Sequence, residues 1–224
     1  YDQVLAAIAA GLDIRLSTPV SAVDWGADGV EVLAGEAGAP LRARHAVVTL
    51  PLAVLQSGAV AFDPPLPEPQ QRALAALRMN AAAKLSIRFD EIFWDRDMTF
   101  LTARDPLPVW WTVRSDVPIL TALITGPRAE RLAAHGPAGA LEQGLSALRV
   151  AFGDLPYRHY ADHMLIDWAA DPWARGGYSS VPPGAHGMRA QLAQPAGALH
   201  FAGEATVFAN NPATVHGALH SGAR

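Results

Sequence analysis

Cysteine is absent from all 224 residues. No disulfide can staple the fold, no thiolate can ligate a metal, and no cysteine nucleophile is available. Long apolar runs are missing as well. None reaches the ~18 residues that a membrane-spanning helix needs, and no signal peptide is visible. No membrane partner is therefore expected, and the location is read as cytoplasmic. There is no basic block: 17 Lys and Arg face 21 Asp and Glu, a net charge of −4. A nucleic-acid partner held by a basic patch is disfavoured on that ground. No G-x-G-x-x-G occurs; the glycines from Gly26 to Gly38 are scattered without that spacing. Repeats and low-complexity tracts are lacking too. The chain opens at Tyr1 without a Met and stops at Arg224 inside a helical pattern, and we read it as an excised piece of a longer protein.

What is present is apolar material in quantity. Half the residues are hydrophobic, enough for a sizeable core in one large domain or two small ones. Asp2 to Ala10 reads as a short helix with Val4, Leu5 and Ile8 on one face, stopped by Gly11. Strands are expected over Leu12 to Leu16, Pro19 to Trp25 and Val30 to Leu33, the last two joined at an Asp28-Gly29 hairpin signal. Leu41 to Arg44 and Ala46 to Leu50 continue the β pattern. Asp63 to Pro69 is a proline-dense crossing. Gln70 to Arg78 is helical. From Ala83 to Phe89, Lys84, Ser86 and Arg88 alternate with Leu85, Ile87 and Phe89, which predicts one polar and one buried face of a sheet. Val109 to Val113, Pro118 to Thr125 and Arg158 to Trp168 are further strands. Pro127 to Ala134 and Pro137 to Phe152 are helices, the second with Leu141, Leu145, Leu148 and Phe152 at helical spacing. Trp173 to Pro183 is a Gly/Pro-rich loop.

The stretch Leu199 to Gly222 carries the most chemistry. An apolar strand, Leu199 to Ala202, ends at Gly203-Glu204, and a polar loop leads to Asn211-Pro212. Asn is a good helix cap and Pro fits the first helical position, so a helix is expected to open there. Its free N–H groups and partial positive charge would suit an anionic group; the competing reading is an ordinary capped helix. Two histidine pairs, His159/His163 and His216/His220, have i, i+4 spacing. The first lies in an expected strand and the second lacks a third ligand, so neither is read as a metal site.

Four stretches, in order and at matching spacing over essentially the whole chain, resemble the flavin-dependent amine oxidases. They are Ala46-Val-Val-Thr-Leu-Pro51-Leu-Ala-Val-Leu55; Phe62-Asp-Pro-Pro-Leu-Pro67 through Lys84-Leu-Ser-Ile-Arg-Phe89 to Phe93-Trp94; Asp171-Pro-Trp173-Ala-Arg-Gly-Gly-Tyr178-Ser; and the Gly203-Glu204 stretch with its helix. The last two are closer to the polyamine oxidase and histone lysine demethylase branch than to the monoamine oxidases. The resemblance implies an α+β or α/β fold. A partial FAD-binding domain (residues 1–60 and 186–224, a β-rich segment plus the C-terminal strand and helix) would carry an inserted substrate domain (61–185) of mixed β-sheet flanked by helices. The family's Gly-rich pyrophosphate turn is not in this sequence.

The resemblance also implies roles. The family oxidises an amine to an imine by hydride transfer to flavin N5, with dioxygen giving peroxide. Lys84 would be the catalytic residue, holding a water against N5; the alternative is a lysine snorkelling off a strand edge. Cofactor contacts would come from Val20 through its backbone, from Trp173, from Gly203 and Glu204, and from Thr214 and Val215 at the helix terminus, where charge develops on the reduced ring. An acid facing phosphate would be repelled, so Glu204 would accept from sugar hydroxyls or orient backbone N–H groups. Tyr178 and Thr214 stand where monoamine oxidases present two aromatic rings, leaving a wider half cage for a polyamine or other extended amine. Monoamine oxidases carry their flavin-linking cysteine where Gly177 stands, so FAD here would be noncovalent. Two alternatives remain. An L-amino-acid oxidase would need a cation for the substrate carboxylate, with Arg88, Arg96, Arg104 and Arg114 as candidates. A catalytically silent substrate-binding or scaffold fragment is the other, and the isolated chain is expected to hold little or no FAD.

Overall fold

A computed structural model of the chain describes residues 2–35, 39–103 and 107–224. Helix α1 (Asp2–Ala9) stops at Gly11, whose φ of +84° suits a residue without Cβ. Val4, Leu5 and Ile8 lie more than half exposed. The predicted strand over Leu12 to Leu16 does not form: the stretch is irregular, and Leu12, Ile14 and Leu16 are exposed. Its alternation has no described sheet edge to pair with, and a lone strand leaves its backbone groups unpaired.

Strand β1 (Val20–Gly26) turns through Ala27-Asp28 into β2 (Gly29–Ala34), with Gly26 opposite Gly29. Gly29 has φ +126°, and a Cβ there would meet the Ala43 carbonyl at 2.5 Å, so only glycine lets β3 (Leu41–Ala43) close onto β2. β4 (Ala46–Val48) and α2 (Leu52–Gln56) follow. β5 (Ala61–Asp63) then adds parallel to β1, completing a sheet in the order β3-β2-β1-β5. Helix α3 (Glu68–Ala76) is entered through Pro67 and a first-turn Glu68, and it leads into β6 (Arg78–Asn80).

The predicted alternation in β7 (Ala82–Phe89) is realised: Leu85, Ile87 and Phe89 are buried, while Lys84 and Ser86 are half-buried and Arg88 is exposed. β7 is flanked in an antiparallel five-stranded sheet completed by β8 (Phe100–Thr102), β9 (Val109–Thr112), β10 (Ile119–Thr125) and, after three helices, β11 (Tyr160–Asp167); the order is β11-β7-β10-β9-β8. Helices α4 (Pro127–Ala134) and α5 (Gly136–Phe152) cover the inner face, followed by the single turn α6 (Leu155–Arg158). α5 fits closely because Gly144 has no side chain: a Cβ would meet Leu85 and Ile87 at 2.7 and 2.9 Å. Each fully buried Leu or Ile in this core contributes about 1.5–3 kcal/mol.

The Gly/Pro-rich loop contains a strand that its composition concealed. β12 (Tyr178–Ser180) pairs antiparallel with β6, Tyr178 opposite Asn80. The chain then runs through α7 (Met188–Leu192) to β13 (Leu199–Phe201), which pairs parallel with β4. A 3-10 turn at Glu204–Thr206 precedes the last helix, α8 (Val215–Gly222). A second apolar core gathers Val23, Val30, Val48, Leu66, Leu199 and Phe201.

Candidate functional site

The parallel pair β4–β13 sets the site. Parallel strands leave their carboxyl ends on one side, and in open α/β sheets ligands bind in the crevice beyond those ends. Here Thr49-Leu50-Pro51 leaves β4 and Ala202-Gly203-Glu204 leaves β13 on that side. Between them opens a cavity of about 500 Å³, lined by Thr49, Pro51 and Leu52, by Gly203 to Thr206, by Gly176-Gly177 and by Ala218, Leu219 and Gly222 of α8. The lining combines apolar side chains with backbone, and the size lies within the ~300–1,000 Å³ of small-molecule and cofactor sites. The residues present fit one end of a flat aromatic cofactor.

Gly203, at φ +121°, begins the turn; its N–H donates to the Ser221 hydroxyl at 2.8 Å, tying the turn to α8. Glu204 does not point into open solvent. Its Oε1 accepts the Ser179 N–H at 3.1 Å and its Oε2 the Ser179 hydroxyl at 2.8 Å. Arg189 lies 3.7 Å from Oε2 and donates to the Glu204 carbonyl at 2.8 Å and the Ser179 carbonyl at 2.9 Å. Only 7% of Arg189 is exposed. Burial pulls its guanidinium below the ordinary arginine value, and Glu204 opposes that shift; arginine stays charged nonetheless. Neither Arg189 nor Ser179 was among the sequence candidates. The signal was spacing: Arg189 stands three residues before the buried Leu192, hence on the inward face of α7.

The helix expected to open at Asn211-Pro212 begins at Val215, and its cap is Thr214. Asn211 and Ala213 both take left-handed φ, 60° and 59°, which cannot continue an α-helix. The Thr214 hydroxyl donates to the Asn211 carbonyl at 2.6 Å and accepts the Gly217 N–H at 3.1 Å, so it is committed to the cap. Gly217 is required because the Asn211 carbonyl lies where its Cβ would be.

The remaining predicted residues do not line this cavity. Lys84 is half-buried on the polar face of β7, its Nζ 6.0 Å from the centroid of the Trp168 ring, with Leu123 and Ile166 as cross-strand neighbours. The segment from Trp168 to Tyr178 is anchored at both ends near the start of β7: the Trp168 N–H donates to the Ala82 carbonyl and the Gly177 N–H to the Asn80 carbonyl. Lys84 and half-buried Tyr178 thus issue from one corner of the fold. Trp173 is 68% exposed on that segment, its N–H held by the Asp171 carboxylate at 2.8 Å. Val20 opens β1, with a bulge in the pairing between Val20 and Ala22. Val215 is 63% exposed. The cavity lining brings Gly203 and Glu204 together; Lys84, Val20, Trp173, Tyr178, Thr214 and Val215 stand outside it.

The arginine candidates are engaged or peripheral. Arg88 is 3.7 Å from Asp162, Arg114 pairs with Asp116 at 2.6 Å, Arg96 is exposed, and Arg104 lies outside the described residues. His159 sits between Asp90 (2.8 Å) and Glu91 (3.3 Å), and His163 bonds the Tyr160 hydroxyl. Among the described residues no group of three or more His, Cys, Asp or Glu could hold a metal ion, and no helix is long and apolar enough to cross a membrane.

The sequence model of the flavin containing amine oxidoreductases matches residues 1–224. A Drosophila melanogaster protein named "Possible lysine-specific histone demethylase 1" is 33% identical over all of this chain, which spans 29% of that protein. Polyamine oxidase 4 of Oryza sativa subsp. japonica is 28% identical over 99% of the chain and 46% of its own length. The solved structure of cyclohexylamine oxidase from Brevibacterium oxydans superimposes with a TM-score of 0.77 at 26% identity, over 91% of this chain and 46% of that one. The chain therefore spans less than half the length of each.

Proposed function

The chain belongs to the flavin containing amine oxidoreductases, in the histone demethylase and polyamine oxidase-like branch, and from that premise we propose that the whole protein oxidises a polyamine or another extended amine with a noncovalent FAD. The observation that carries the proposal is the cavity at the carboxyl ends of β4 and β13, where Gly203-Glu204, Gly176-Gly177 and α8 converge. FAD, when bound, would supply the hydride acceptor and, with dioxygen, the route to peroxide.

The chain's own residues would hold and polarise that group. Gly203 to Thr206 and Thr49 to Leu52 offer backbone against its edge. The free N–H groups at the start of α8, that of Val215 included, would carry partial positive charge toward the side where negative charge develops. Val20 would offer backbone and Trp173 an aromatic face. Lys84 would orient a water and move a proton at the reacting face; its half-buried place beside Trp168 supports that role over a solvated lysine. Tyr178 and Thr214 would border the amine. The committed hydroxyl of Thr214 favours a passive wall there rather than a hydrogen-bonding one. Absence of cysteine supports noncovalent attachment.

The two-part division of the chain belongs to this proposal. Packing of β5 on β1, and of Leu66 and Leu74 in the second core, supports a crossing into the substrate part after Leu77 rather than at residue 61. The isolated chain, without a pyrophosphate-binding turn, is proposed to hold FAD weakly and to be inactive alone; near-stoichiometric flavin absorbance in the purified chain would overturn that. The test of the main reading is peroxide release by the full-length protein with spermidine, tyramine and a panel of L-amino acids. Turnover on spermidine is expected; turnover confined to amino acids would replace the proposal with the amino-acid oxidase reading.

A further inference from the structure

We propose that Arg189 is a positioning residue that locks Glu204 onto Ser179, so that the cofactor-side turn and the strand carrying Tyr178 move as one unit. The inference rests on the flavin reading above for its functional consequence, though the bracket itself is defined by geometry. Glu204 reaches across 25 positions of sequence to Ser179 and engages it twice, by backbone N–H and by hydroxyl. Arg189 closes the bracket from beneath, with one nitrogen on the Glu204 carbonyl and another on the Ser179 carbonyl. Ser179 is 2% exposed and Arg189 7%. Ser179 and Arg189 are therefore satisfied away from water, where an unpaired member is expensive, and half-buried Glu204 is their shared partner.

The bracket gives Glu204 a duty other than direct contact with a cofactor. Both carboxylate oxygens are already accepting from Ser179, and Arg189 offsets the negative charge. Two elements of separate origin are joined by it: the turn after β13, which lines the cavity, and β12, whose Tyr178 immediately precedes Ser179. Lysine cannot reproduce the link. Arg189 serves two carbonyls through two nitrogens of one planar fork, and an ammonium lacks that geometry. A bound flavin resting on the Gly203 turn would then also fix the Tyr178 ring beside the amine, tying cofactor occupancy to the shape of the substrate opening.

Full-length protein bearing Arg189→Met or Arg189→Lys, and Ser179→Ala, would be compared with the parent by amide hydrogen exchange and by flavin titration. Arg189→Met is expected to lower protection about tenfold or more in the peptides covering both 177–180 and 203–207, beyond any uniform loss from lower global stability. Arg189→Lys should recover only part of it, and Ser179→Ala should loosen 203–207 from the other side. Flavin affinity should fall by about tenfold in Arg189→Met. Unchanged protection at 177–180 in Arg189→Met, or full recovery by lysine, would overturn the bracket. If parent protein takes up no flavin, the flavin reading fails while the exchange result still decides the bracket. If flavin binds equally well to parent and Arg189→Met despite loosened exchange, the coupling to the cofactor is refuted.

Discussion

Gly177→Ala tests how tightly the Tyr178 strand is seated. A Cβ at 177 would fall within the envelope of the Ala82 methyl group, the next nearest atoms being the Ala82 Cα at 3.6 Å and N at 3.8 Å. The clash is therefore with one methyl, but both partners are borne directly on backbone and neither can rotate away. Ala82 is 2% exposed and begins β7, the strand that carries Lys84. Gly177 is also fixed from the other side, its N–H donating to the Asn80 carbonyl at 2.9 Å. Overpacking of this kind costs about 1–3 kcal/mol, and the smaller unfolded-state entropy of alanine offsets about 0.4–1 kcal/mol. A net loss of about 1–2 kcal/mol is expected, a Tm drop of about 2–8 °C for a chain of this size. Denaturant unfolding of the parent, both single variants and Gly177→Ala/Ala82→Gly would measure it, since removing the opposing methyl should restore at least ~1 kcal/mol of coupling. Gly177→Ala within ~0.5 kcal/mol of the parent, or additive single effects, would refute the contact.

Thr214→Ala removes the α8 cap and should destabilise by about 1 kcal/mol, read by thermal unfolding, whereas Thr214→Ser should retain most of that. In the full-length protein, Lys84→Met should slow amine oxidation by about 10²-fold or more if Lys84 moves a proton, seen in stopped-flow flavin reduction or reoxidation; unchanged rates for both steps would remove the role. The Asp116 carboxyl is held below the ordinary carboxylate value by its hydrogen bond from Arg114 and by the charges of Arg114 and Arg96. A depressed carboxyl stabilises the fold above its unfolded value and loses that as pH falls through its native one. Carbon-detected titration should therefore show Asp116 protonating at lower pH than ordinary, and moving up in Arg114→Ala; no movement would contradict the pairing.

Local pattern carried much of the fold. The alternation of β7, the α5 spacing and the β1–β2 hairpin were legible because each depends on neighbours within a few residues and on burial of one face. The misread elements depended on distant partners. Leu12 to Leu16 had the alternation of a strand and no described edge to join. β12 sat inside a Gly/Pro-rich stretch and became a strand only by meeting β6, about a hundred residues earlier. The start of α8 turned on Asn211 and Ala213 adopting left-handed backbone, which a good capping residue followed by proline does not reveal.

By itself, the sequence determined the family, through four spaced stretches, and its composition leaves these 224 residues without a thiol. Which residues share a cavity was decided by tertiary structure alone. Val48 and Phe201 are brought side by side by a parallel pairing, and no local pattern encodes a partner so far along the chain. Glu204 is the clearest case. In the sequence it is a lone acid in a turn, free to face solvent or a sugar. Packing supplies Ser179 from β12 and a buried Arg189 from α7, and the half-buried carboxylate takes the donors that this packing leaves within reach.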